Sequence, residues 1–212
     1  MRLLIVTAAA AGAVLALASC ATMSAEQCTA GDWTGQGYSD GAGGLGMSRL
    51  DEHTQACAEH GVTPDRAAYA AGRDQGLVRY CTPATGFRSG RTGSGYGGVC
   101  PAYLEADFMP AYRDGQEVYA ADQALANARS SVESYGSRLE ELDEKIVAKQ
   151  AEARAEGLTD EQRDQIRNRI QEIRRERADT ERDWRRAQDA IDAAQRDVRD
   201  VRRQFQSQYG GW

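Results

Sequence analysis

Cysteines and histidines are the side chains best placed for covalent or metal chemistry in this 212-residue chain, and it carries five of the first and two of the second. Cys28, Cys57, Cys81 and Cys100 stand 29, 24 and 19 residues apart. Zinc sites draw on paired ligands at close spacing, Cys-x-x-Cys above all, and no such pair occurs, so metal is the lesser reading. In an exported chain four thiols read instead as two disulfides, one of three possible pairings. Cys81 and Cys100 bracket a Gly-rich stretch of about twenty residues whose closure contributes roughly 3 kcal/mol in the chain-entropy account. Pairing them leaves Cys28 with Cys57. The histidines, His53 and His60, form no His-Glu-x-x-His arrangement, and no Gly-x-Ser-x-Gly elbow is present. Asp40, Asp51, Glu52, Glu59 and Asp74 would act as paired carboxylates only if the fold converged them. Asp51-Glu52-His53 reads as the opening of a solvated helix face. No catalytic residue, no metal and no cofactor is expected.

Export rests on the first twenty residues. Met1-Arg2 supplies a positive charge, and Leu3 to Leu17 is an apolar run ending at Leu17-Ala18-Ser19-Cys20. A run of about fifteen residues is short of the roughly twenty that span a bilayer, and small residues precede the cysteine, so residues 1–19 read as a signal peptide. The small pair followed by Cys resembles the bacterial lipobox, which implies acylation of the Cys20 sulfur and cleavage before it. Two or three acyl chains, at about 0.8 kcal/mol per buried methylene, anchor a protein where one would not. Ala21 after the lipidated cysteine implies, by bacterial sorting rules, the outer rather than the inner membrane. Removal of Arg2 takes the formal charge from -6, with 32 acids against 26 bases, to -7. That acidic balance excludes a non-specific nucleic-acid partner.

The segment 28–119 holds most of the glycines and repeats an aromatic-x-x-Gly unit: Tyr38 with Gly41, Tyr69 with Gly72, Phe87 with Gly90, Tyr112 with Gly115. The intervals are irregular, so a stacked repeat is not implied. Trp33, Gly37 and Gly41, then Gly72, Gly76 and Tyr80, fall at helical spacing. There, glycine would let a backbone or ring approach closely, at about 1 kcal/mol each in helix propensity. Gly86 to Gly98 reads as a loop. Exposed aromatics beside glycine and aspartate suit a sugar face, which makes Tyr38, Asp40 and Tyr96 candidates for facing a glycan or peptide, with Arg88 and Arg91 available to an anion.

Trp33 to Gly44, Cys57-Ala58-Glu59-His60-Gly61-Val62, Tyr69 to Cys81, Gly86 to Gly90 and on to Tyr96, Val99-Cys100-Pro101 and Phe108 to Tyr119 together resemble an uncharacterised family of proteobacterial lipoproteins. The resemblance covers about ninety residues. It implies an envelope location, and no activity, cofactor or site residue comes with it.

From about Ala120 to Glu156 and from Thr159 to about Gln206 proline is absent and charged residues surround a sparse apolar stripe. Leu125, Ala128, Val132, Tyr135, Leu139, Leu142, Ile146, Lys149 and Ala153 alternate intervals of three and four. So do Ile166, Ile170, Ile173, Arg177, Thr180, Trp184, Ala187, Ile191, Ala194, Val198, Val201 and Phe205, a coiled-coil signature. Gly157-Leu158 breaks the pattern, and Thr159 with Gln162 forms a capping box that restarts it. Facing residue numbers summing to 319 would set small side chains against large ones, with Tyr135 by Trp184, whereas a sum near 316 would stack alanine on alanine. Arg177 and Lys149 in the seam would have to reach acids such as Glu140 or Glu172.

The expected architecture is mainly α: a leader (1–19), a lipidated linker (20–27) and a small disulfide-stapled Gly/Tyr-rich domain (28–119). An antiparallel coiled-coil hairpin (120–207, turning near 157–159) and a frayed tail (208–212) complete it. The expected function is that of a lipid-anchored protein on the periplasmic face of the outer membrane. Its hairpin would tether, dock an envelope partner or self-associate. A glycan- or peptide-binding module in 28–119 is the alternative, and an unrecognised hydrolase a third.

Overall fold

The computed structural model describes residues 23–211; the expected leader, Cys20 and the terminal Trp212 lie outside them. Among the described residues every regular element is helical: α1 Ala25–Ala30, α2 Trp33–Ala42, α3 Ser48–Ala58, α4 Arg66–Tyr80, α5 Pro83–Arg91, α6 Ala102–Ala153 and α7 Asp160–Tyr209. The chain divides between Tyr80 and Cys81 into two compact units.

In the first unit the glycines decide the packing. Asp32 caps α2 by accepting the Gly35 N–H at 2.8 Å, and the helix then presents Gly37 and Gly41 to α4. A Cβ on Gly37 would lie 2.0 Å from the Tyr69 carbonyl oxygen, and one on Gly41 2.2 Å from that of Arg73. In return Gly72 and Gly76 of α4 meet the carbonyls of Thr34 and Tyr38 at 2.0 and 2.2 Å by the same measure. Residue numbers rise together along this contact, so α2 and α4 run parallel with their backbones touching, the geometry that small-xxx-small spacing permits. A parallel pair needs a crossover, which α3 supplies. The disulfide Cys28–Cys57, with a Cα–Cα distance of 5.4 Å, ties α1 to α3, the helices that precede α2 and α4. Met23, Trp33, Leu50 and Tyr69 close around it as the core.

The second unit uses the same device. Thr82 caps α5 through the Thr85 N–H and Pro83 occupies its first turn, a start signal in which proline gives up no helical donor. Gly86 and Gly90 then face the carbonyls of Phe108 and Tyr112 on α6, while Gly115 faces that of Phe87. Gly37, Tyr38 and Gly41 thus correspond to Gly86, Phe87 and Gly90, and Tyr69, Arg73 and Gly76 to Phe108, Tyr112 and Gly115. The aromatic-x-x-Gly unit of the first helices repeats in register, whereas those of the second helices are offset by one turn. Cys81–Cys100 joins the leading ends of α5 and α6. The expected loop over Gly86–Gly98 is therefore half helix. Contact with α6 offsets the poor propensity of Gly86 and Gly90, and only residues 92–101 return the chain, with Gly93 and Gly98 at φ of 70° and 66°.

No break occurs between 119 and 120, because α6 runs from Ala102 to Ala153 through Pro110. Its first turns pack on α5 and the remainder on α7. Residues 154–159 turn the chain, with Gly157 at φ 79°. Thr159 and Gln162 then exchange the two capping-box bonds at 3.2 and 2.9 Å. The stripe of α7 is inside: Ile166, Ile170, Ile173, Thr180, Ala187, Ala194, Val198 and Phe205 are buried, and Leu142 of α6 is fully so. Asp122 with Arg202, and Asp143 with Arg177, show the two helices antiparallel, and Gly136 lies beside the Trp184 indole. Arg177 donates to Asp143 at 2.6 and 3.1 Å and to Glu181 at 3.2 Å, and Lys149 reaches Glu152; neither uses Glu140 or Glu172. Both cations sit at the rim of the seam, so the nearest acids on the facing and the same helix take them. Ala128, Tyr135 and Ala187 line a common cleft on the hairpin with Ser131 and Asp183.

Candidate functional site

The most connected polar cluster lies inside the first unit. Asp40 on α2 accepts the Tyr69 hydroxyl from α4 at 2.7 Å and lies 2.7 Å from His53 Nε2 on α3. Gln36, one turn before Asp40 on the same helix face, donates to its other oxygen at 3.2 Å and lies 3.4 Å from His53 Nε2. Asp40, His53 and Tyr69 are 5 %, 0 % and 0 % exposed. Burial first, and the Asp40 hydrogen bond second, hold the Tyr69 phenol in its neutral, donating form well above the ordinary tyrosine range. Arg73 adds a bond from Nε to the Leu45 carbonyl at 2.8 Å. Asp, His and Tyr in line are chemically able to share protons, but here they are sealed from solvent. Their evident role is to clamp three helices together with satisfied polar bonds, which specify one arrangement where apolar contacts alone would be permissive. Sequence reasoning placed His53 on a solvated face. The signal missed was the pair Gln36 and Asp40 at helical spacing, opposite a histidine on the next helix.

The five residues expected to face a ligand divide between the two units, Tyr38 and Asp40 in the first and Arg88, Arg91 and Tyr96 in the second. Asp40 is interior, while Tyr38, two positions earlier and so on the opposite side of α2, is exposed and accepts from Arg79 at 3.3 Å. Tyr96 is half-buried, donates to Glu105 at 2.9 Å and accepts the Cys100 N–H at 3.1 Å, so it braces the second disulfide. Within the second unit Arg88 and Arg91 share a cavity, formed between α5 and the end of α7. Among the described residues no group of three or more His, Cys, Asp or Glu side chains is arranged to hold a metal ion.

That end of α7 is fastened. Phe205 is buried with Phe87, Ala111 and Val118. Tyr209 stacks on Phe87 with ring centroids 4.0 Å apart and donates its hydroxyl to Asp114 at 2.7 Å. Desolvation, then the Asp114 bond, push the Tyr209 phenol up to about 12. Because the neutral hydroxyl is the form that the folded state favours, its contribution is complete below the ordinary tyrosine value near 10 and is lost as pH rises through about 12. Tyr209→Phe is expected to remove that alkaline step from the unfolding profile of the second unit. Phenolate absorbance should show one late-titrating tyrosine fewer, and an unchanged titration would mean the Asp114 bond is not made.

Along the hairpin the exterior is charged. Arg138 bridges Glu141 and Glu176, and the Arg177 guanidinium holds the Asp143 carboxyl below its usual range. Solvent and salt screen exposed pairs of this kind, so they keep the surface solvated and set register rather than supply stability.

Comparison with curated proteins yields no match, and comparison with solved structures yields none. Residues 32–117 do match the model of one family, from the residue that caps α2 to the turn that follows Gly115, and so take in both glycine-packed helix pairs while leaving out most of the hairpin. Over that stretch the chain is similar to the family described as protein of unknown function (DUF2799).

Proposed function

We propose that this is a lipid-anchored envelope protein whose hairpin serves as a spacer and docking rod, held at its base by the disulfide-stapled α5–α6 pair. The observation that carries the reading is the hairpin itself. Beyond residue 120 α6 continues for about 34 residues, or about 50 Å at 1.5 Å per residue, paired with α7 behind a charged exterior. A length of that kind has no use in a small folded core, and it suits reach. Two buried disulfides support an oxidising compartment. Among the described residues no helix is long and apolar enough to cross a membrane, so attachment in this reading falls to acylated Cys20. Capture of an envelope protein is favoured over self-association because the exposed faces of both arms are charged in both signs.

Two measurements separate anchor from rod. Cys20→Ser should abolish palmitate labelling and move the protein from membranes to the soluble fraction. A photo-crosslinking residue at Val147, 64 % exposed on the hairpin, should capture a partner in intact cells, whereas one at Leu45 in the first unit should not. Capture confined to Leu45 would overturn the docking role, and persistent membrane association of unlabelled Cys20→Ser protein would overturn the anchor.

A further inference from the structure

The cavity between α5 and the last turn of α7 has a volume of about 530 Å³, within the size range of small-molecule sites. Its construction follows from helical spacing. Ala84, Phe87, Arg88 and Arg91 stand at i, i+3, i+4 and i+7, one face of α5, while Gly86 and Gly90 on another face are taken up by α6. The wall is therefore apolar at Pro83, Ala84 and Phe87 and cationic at Arg88 and Arg91. Tyr209, stacked on Phe87, forms the opposite side with Gln208.

Several arginines of the second unit, such as Arg138, Arg177 and Arg202, have carboxylate partners, while others, such as Arg113 and Arg129, have none among the described residues; what sets Arg88 and Arg91 apart is that both line one cavity with an apolar wall. Among the described residues the Arg88 and Arg91 guanidiniums have no ion pair and no hydrogen-bond partner. Tyr209, which lines the same cavity, donates its hydroxyl to Asp114. Two guanidiniums one turn apart offer forks that match a carboxylate or a phosphate bidentately, and they border an aromatic, half-buried wall. We propose that this cavity binds a small organic oxyanion whose carboxylate or phosphate lies against Arg88 and Arg91 and whose apolar ring or chain lies against Phe87, Pro83 and Tyr209. The site is independent of the lipid anchor and of any partner on the hairpin.

The test is a titration of the full, oxidised chain followed by amide and arginine side-chain NMR. The probes are 3-phenylpropanoate, phenyl phosphate, neutral 3-phenylpropan-1-ol and inorganic phosphate. Saturable shifts are expected at Phe87, Arg88, Arg91, Gln208 and Tyr209 with the two organic anions, and the tighter of the two identifies the head group. The alcohol and inorganic phosphate should each bind roughly tenfold more weakly or worse, since each lacks half of the recognition. Arg88→Gln with Arg91→Gln should lose roughly tenfold for the anions and leave the alcohol unchanged, with helical content intact because neither side chain supports the core. Arg88→Lys with Arg91→Lys should recover part of the loss. Equal affinity for alcohol and anions, undiminished anion binding by the double glutamine variant, or shifts that never saturate would each overturn the site.

Discussion

Gly37→Ala is expected to destabilise the first unit by about 3 kcal/mol, while Gly136→Ala in the hairpin is expected to stabilise the second by up to about 1 kcal/mol. The same substitution, at helical positions in both cases, changes sign because of what the new methyl meets. At Gly37 it would sit 2.0 Å from the Tyr69 carbonyl oxygen, an atom fixed by the α4 backbone, so α2 must move away from α4 along its length. That movement strains the Asp40 clamp, whose bonds to Tyr69 and His53 are each 2.7 Å. At Gly136 the nearest atom is the Trp184 Nε1 at 3.9 Å, ordinary contact, and the alanine simply brings better helix propensity. Denaturant unfolding followed through helical signal and through exchange protection of α4 measures both. A Gly37→Ala protein with an unmoved midpoint would mean that α2 and α4 do not touch. Gly90→Ala, 2.1 Å from the Tyr112 carbonyl by the same measure, should behave as Gly37→Ala does, because α5 and α6 repeat the arrangement.

The contrast also explains which parts of the molecule could be read from residues in a row. The α7 stripe was legible because a helix that buries one seam against a neighbouring helix repeats its core residues about every 3.5 positions, and Ile166 through Phe205 keep that period over the whole arm. The glycine pairs are different. Gly86 and Gly90 weaken a helix considered alone, and what offsets them is a carbonyl on α6 more than twenty residues away, so a local reading makes them a loop. Thr82-Pro83, a cap followed by a helix-starting proline, was the local clue to α5. The expected boundary at 119–120 fell inside α6 because composition changes there from glycine-rich to charged while the backbone does not change at all: a packing partner is exchanged, α5 for α7. Tyr38 and Asp40 looked alike as candidates because they are neighbours in sequence. On a helix two positions are about 200° apart, which sends one into solvent and the other into the His53 cluster. Arg88 and Arg91 pointed to an anion through charge alone, and the fold adds the apolar wall and the absence of acid partners among the described residues.

Reduction of the two disulfides is expected to unfold the first unit and leave the hairpin helical. Cys28–Cys57 closes 29 residues and Cys81–Cys100 closes 19, each contributing about 3–4 kcal/mol by restricting the unfolded chain. A unit the size of residues 23–80 has a core of six clustered buried side chains, two of them the disulfide itself. A single core of that size supplies only about 3–5 kcal/mol of net stability, so losing the crosslink removes most or all of it. The glycine contacts cannot compensate, because backbone approach contributes little until both helices are already held. In the second unit the loss falls on α5, whose leading end Cys81–Cys100 fastens to α6. The arms beyond residue 120 contain no cysteine and bury their own stripe, from Leu142 to Ile166, Ile170 and Ile173. Hydrogen exchange of reduced, alkylated protein should therefore show α2, α4 and α5 exchanging freely while 125–150 and 165–198 stay protected. Protection that persists in α4 after reduction would show that the Asp40 cluster and the glycine interface hold the unit without its staple. Collapse of protection in the hairpin as well would show that the rod depends on its base, and a spacer that cannot stand without its disulfides would lose its folded length wherever the surroundings are reducing.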